Sequence, residues 1–116
     1  MNLDKFAQEA FAHEPKLRYV GIVDGSYHVL LSRMRDGVQS LTNDEQDRNY
    51  LQLMPQIIVE AVEKMQPWLG KVDSVTARYE KLLYVFFRAE DKVQLLSFEP
   101  EVVTPFMSTY PTSSEV

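Results

Sequence analysis

One helical pattern of about 25 residues, Asp44 to Leu69, lies between two groups of strand patterns and constrains this fold more than any other feature. A helix of that length needs a broad surface to take its apolar face. Before it, Lys16 to Arg35 reads as a β-hairpin; after it, three more strands fill Lys71 to Pro100. Short amphipathic helices over Asn2 to Ala12 and Glu101 to Tyr110 complete the order α-β-β-α-β-β-β-α.

Local signals support each element. Leu3, Phe6, Ala7, Ala10 and Phe11 recur at helical spacing, with Asn2 as N-cap and Pro15 as a stop. Asp24-Gly25-Ser26 is a hairpin turn in which Gly25 is expected to supply a positive φ. Thr42 or Asn43 caps the long helix, with Glu45 or Gln46 closing a capping box, and Gly70 ends it in the left-handed region. Val75, Ala77 and Tyr79 alternate on one face of a third strand, Val72 to Tyr79. Leu82 to Phe87 is apolar on both faces, as an interior strand requires. Pro55 removes a helical hydrogen bond, so the long helix either kinks near Leu51 or breaks into two pieces, the longer starting near Met54.

Composition excludes several function classes. The 116 residues suit one α+β domain, expected over 1–110, with a polar tail over 111–116. A net charge of −5 opposes nucleic acid and anionic lipid, and no apolar run is long enough to span a membrane. The N-terminus lacks the pattern of a signal peptide, so a cytoplasmic protein is expected. There is no cysteine, and His13 and His28 belong to no ligand cluster, so no metal is expected. Asp24, Ser26 and His28 share a hairpin turn without an oxyanion donor, and the four glycines form no nucleotide-binding motif. No catalytic residue and no cofactor is expected.

The long helix carries too much apolar surface for one sheet. Tyr50, Leu51, Leu53, Met54, Ile57, Ile58, Ala61, Val62, Met65, Trp68 and Leu69 fall within about 180° of arc, where a helix on a sheet needs about 100°. The surplus is covered either by the loop from Arg35 to Asn43 or by a partner subunit.

Three segments resemble the roadblock family, the dynein-light-chain-like relatives of the profilin and longin folds, and its small archaeal members in particular. They are Leu69-Gly70-Lys71-Val72, Ala77-Arg78-Tyr79-Glu80-Lys81 and Leu96-Ser97-Phe98-Glu99-Pro100. The resemblance, over about Leu3 to Phe106, implies a five-stranded antiparallel sheet with the long helix on one face and short terminal helices on the other. It implies a non-catalytic scaffold or regulator that forms a homodimer through the long helix and third strand, with a small GTPase or motor as protein partner. The corresponding interface here is Leu53, Met54, Ile57, Ala61, Val62, Met65, Trp68, Val75, Ala77 and Tyr79. Pro55 departs from the unbroken helix of that family. The alternative is a small-molecule sensor of the PAS or GAF kind, with a pocket between sheet and helix lined by Tyr19, Tyr27, Tyr84, Phe86 and Phe87.

Overall fold

The computed structural model describes residues 2–102, which form a five-stranded antiparallel sheet of order β2-β1-β5-β4-β3. The strands are β1 (Leu17–Val23), β2 (Val29–Met34), β3 (Val75–Arg78), β4 (Leu83–Ala89) and β5 (Lys92–Phe98). The expected fold class stands. Helix α1 (Leu3–His13) lies on one face and α2 (Asp44–Ile57) on the other. The closing helix expected over Glu101 to Tyr110 falls outside the described residues from position 103 onward, as does the tail 111–116.

The two faces follow from strand alternation. Ala7 of α1 meets Val20, Ile22, Leu83, Val85 and Phe98, with Leu3, Phe6, Ala10 and Phe11 around it. Leu51 of α2 and Ile58 just beyond it meet Val23, Phe86, Val93 and Leu95. Both clusters draw on β1, β4 and β5, so these three strands are buried on both sides, as the doubly apolar run in β4 predicts.

Helix ends follow their sequence signals. The Asn2 side chain accepts from the Lys5 N–H, and Asn43 with Gln46 forms the complete capping box. The C-terminus of α1 is held by Arg35, whose guanidinium donates to the carbonyls of Phe11, Glu14 and Leu17 at 2.7–2.9 Å. That guanidinium also lies 5.1 Å from the Phe11 ring centroid.

Two local expectations are corrected. In the hairpin turn the positive φ belongs to Tyr27 (66°), not to Gly25. The Asp24 carboxylate accepts from the backbone N–H of Ser26 and of His28, and that Asx-type turn sets the geometry. A β-carbon on Gly25 would meet the Asp91 carbonyl oxygen at 3.3 Å, a tight contact. Gly70 has the expected positive φ (89°) but an extended ψ of 179°, so it redirects the chain without a left-handed cap.

Pro55 does not split the path near Met54. The α-helix continues through buried Pro55 to Ile57, then widens into a π-helix over Ile58–Val62. The Glu63 N–H reaches back five residues to the Ile58 carbonyl. A wider turn is one way a helix absorbs a position where the regular ladder is interrupted. A 3₁₀ turn (Glu63–Met65) and α3 (Gln66–Leu69), with Pro67 in its first turn, carry the path to Gly70.

Candidate interaction surface

The helical path from Asp44 to Leu69 is held to the sheet by one side only. Leu51, Pro55 and Ile58 are buried, and Met54 packs with them against the sheet. Farther along, Arg88 of β4 makes an ion pair of 2.8 Å with Glu63, so the second half of the path is tied down by charge. On the opposite side Leu53 is 56 % exposed, Ile57 51 %, Trp68 76 % and Leu69 74 %. Leu53 and Ile57 lie one α-helical turn apart and so share a side, and Ala61 and Met65, in and beyond the π turn, are exposed as well. The loop between β2 and α2 does not cover this stripe: it lies at the N-terminal end, where the Asp47 carboxylate accepts from the hydroxyls of Ser40 and Thr42.

Beside the helix runs β3, which pairs with β4 alone and leaves its other edge open among the described residues. Tyr79, just past β3, reaches the helix again: its hydroxyl lies 3.2 Å from that of Tyr50. The Tyr50 ring packs on Tyr84 at 4.7 Å between centroids, and Tyr79 meets Tyr84 edge-on at 6.0 Å. Burial, with the Tyr79 hydroxyl assisting, pushes the Tyr50 phenol up, and burial pushes that of Tyr84 up to about 12. Both remain neutral hydrogen-bonding groups through the physiological range.

No family model matches the chain, and no curated protein matches its sequence. Solved structures do match its shape. The roadblock/LC7 domain protein from Streptomyces avermitilis is similar with a TM-score of 0.65 at 8 % identity, over 88 % of this chain and 82 % of that one. The gliding protein MglB from Thermus thermophilus gives 0.65 at 12 % identity, over 90 % of this chain and 76 % of that one. The chain has the roadblock/LC7 fold.

Within this roadblock fold the ten interface residues expected from sequence do not share one environment. Leu53, Ile57, Ala61, Met65, Trp68 and Tyr79 are exposed. Met54 and Val75 pack against the core cluster under the helix, and Val62 and Ala77 are half-buried. Leu69 is not among the ten, yet it is as open as Trp68. The five aromatic residues of the sensor reading divide as well. Tyr19, Tyr84 and Phe86 lie on the α2 face, Phe87 packs on the α1 face, and Tyr27 sits in the hairpin turn.

Other candidate groups are dispersed. Arg78 donates to the carbonyls of Pro100 and Val102, whereas Arg88 holds Glu63 on the opposite face of the sheet. The Asp24 carboxylate accepts two backbone N–H groups within its own turn. Among the described residues no group of three His, Cys, Asp or Glu side chains could hold a metal ion. Among them, too, no helix is long and apolar enough to cross a membrane.

Proposed function

We propose that this chain is a non-catalytic protein-interaction module of the cytoplasm that pairs with a second copy of itself. The pairing surface is the outward side of the long helical path together with the open edge of β3. The observation that carries this reading is the exposed line Leu53, Ile57, Ala61, Met65, Trp68 and Leu69. A continuous apolar stripe on a charged protein is unfavourable in water and is the usual mark of a protein contact. Trp68 and Met65 are side chains suited to such a contact, one broad and amphipathic, the other adaptable. The short edge strand offers unpaired backbone groups alongside, so a second copy could continue the sheet while the helices pack.

The assembled pair acts as a scaffold or regulator of another protein, for which the roadblock resemblance nominates a small GTPase or a motor. The five aromatic residues of the sensor reading do not line one pocket, because they lie on both faces and in a turn. Sedimentation equilibrium of the full chain tests the pairing. Twice the chain mass at micromolar concentration is expected; a strict monomer at high micromolar concentration would remove the proposal.

A further inference from the structure

The α2 face of the sheet has a dip in it. Reading across the strands in register, the row is Met34, Tyr19, Ser97, Tyr84 and Ala77. Ser97 is therefore a small residue between two tyrosines. Neither ring covers it. Tyr19 leans along its own strand over Gly21 and hydrogen-bonds Ser32 at 2.7 Å. Tyr84 turns to Tyr50 and Tyr79.

The space left over Ser97 is a hollow of about 30 Å³, roomy enough for one water-sized group. It adjoins an open cavity of about 550 Å³ at the N-terminal end of α2. Both spaces are walled by Leu41, Thr42, Asp47, Tyr50, Leu82 and Tyr84, and Tyr79 closes the outer one. A volume of that size is in the range of small-molecule sites, which are apolar with a few polar groups placed to orient the ligand.

Two observations define what would fit. Ser97 is 2 % exposed and is the buried polar residue of the core, yet its hydroxyl bonds no other described residue. Among the described residues no fully sealed side-chain oxygen lacks a partner, so the Ser97 oxygen opens onto the hollow it lines. Such a hydroxyl can be partnered only through the hollow, and a ligand group there would take the place of water. The charges near the cavity are already balanced. Asp47 and Glu80 face Arg18 and Lys81 across the two linings; Arg18 is paired with Glu99, and Asp47 accepts from Thr42. The lining itself carries two carboxylates and two cations.

We propose that this cavity binds a neutral, flat, ring-bearing small molecule, whose ring lies against Tyr50, Tyr79 and Tyr84 and whose single polar group enters the hollow to meet the Ser97 hydroxyl. Aromatic faces grip planar rings by offset and edge contacts, and the hollow admits only the polar tip. The cavity does not use the exposed side chains of the helix stripe, but it meets the pairing surface at Tyr79, which follows β3.

The test uses indole as probe, with indene as the same bicycle lacking the N–H. Each is titrated into the full-length protein and followed by amide chemical shifts. Saturable shifts confined to the segments around Leu41–Tyr50, Tyr79–Tyr84 and Ser97 are expected with indole, and weaker ones with indene. Ser97→Ala should reduce indole to the level of indene, and exposed Tyr79→Ala should weaken both by roughly tenfold. Leu53→Glu with Ile57→Glu should leave indole binding intact, which separates this site from the helix stripe. Absence of saturable shifts would overturn the proposal. So would equal binding of the two probes that ignores Ser97→Ala, or binding seen only after the helix stripe is charged, which would make the cavity part of a protein interface.

Discussion

The Leu51 Cδ1 atom stands 2.9 Å from the place where a β-carbon on Gly21 would be. The Tyr19 hydroxyl and Cε2 stand at 2.8 and 2.9 Å from the same point. Gly21 is thus the position where helix α2 and the Tyr19 ring both settle onto β1. The Tyr19 ring is pinned by Ser32, and Leu51 is buried, so neither withdraws freely. Gly21→Ala should cost about 1–3 kcal/mol by overpacking, read as a lower denaturant midpoint at unchanged slope. Adding Leu51→Ala should give less than the sum of the single losses, because the second change makes room for the first.

Arg35 should be the most sensitive surface-accessible cation. It donates to three carbonyls at the end of α1 and the start of β1, those of Phe11, Glu14 and Leu17, of which Glu14 also accepts from the Leu17 N–H. Arg35→Ala removes charge-assisted bonds and the contact with Phe11, and a loss of about 2–3 kcal/mol is expected in chemical denaturation. Arg35→Lys should recover only a minority of it, because an ammonium cannot span three acceptors with the planar fork of a guanidinium.

Element order, strand faces and helix caps were legible because each rests on local chemistry. Leu3, Phe6, Ala7 and Ala10 state a helix by spacing alone, and Asn43 with Gln46 states its start. What was not legible depends on groups distant in sequence. The positive φ of Tyr27 accompanies Asp24 accepting two backbone N–H groups, and Gly25 lies close to the backbone of Asp91, far away in sequence. The wide apolar arc on the helix could not be divided into buried and open halves until Pro55 and the π turn fixed its phase. Met54 and Val62 then turned toward the protein, and Trp68 and Leu69 away from it. The Ser97 hollow required the register of three strands, although Leu96-Ser97-Phe98 does show a small polar residue in an apolar strand.

Stability should fall at both ends of the pH scale for different reasons. The His28 backbone N–H, with that of Ser26, holds the Asp24 carboxyl below its usual range. Its contribution is therefore complete above the unfolded carboxyl value and fades as pH falls through the lower folded value. The advantage of wild type over Asp24→Asn at neutral pH should close in acid. Burial raises Tyr19, Tyr50 and Tyr84, the last to about 12. The contribution of Tyr84 is complete below the ordinary value of 10.0 and is lost as pH rises through about 12, and those of Tyr19 and Tyr50 likewise fade only above 10.0. Phenolate absorbance should show these three ionising late, together with a falling denaturant midpoint; a single ordinary titration would contradict the burial.

The pairing face is best tested by placing the same charge on opposite sides of one helix. Leu53 and Ile57 are open, whereas Leu51 and Ile58 touch Phe86, Val93 and Leu95. In Leu51→Glu with Ile58→Glu, two carboxylates enter an apolar layer without partners. The cost is several kcal/mol, a large share of the about 5–15 kcal/mol that holds a small fold together, so this protein should be unfolded by circular dichroism. In Leu53→Glu with Ile57→Glu, the new carboxylates of a lone subunit stay in water and the fold should be retained. Two such stripes brought together would bury or oppose four like charges, and association should fail. A folded monomer from the outer pair and an unfolded chain from the inner pair are the expected results. A folded dimer from the outer pair would move the pairing surface off this helix and leave the edge of β3 as the element to examine.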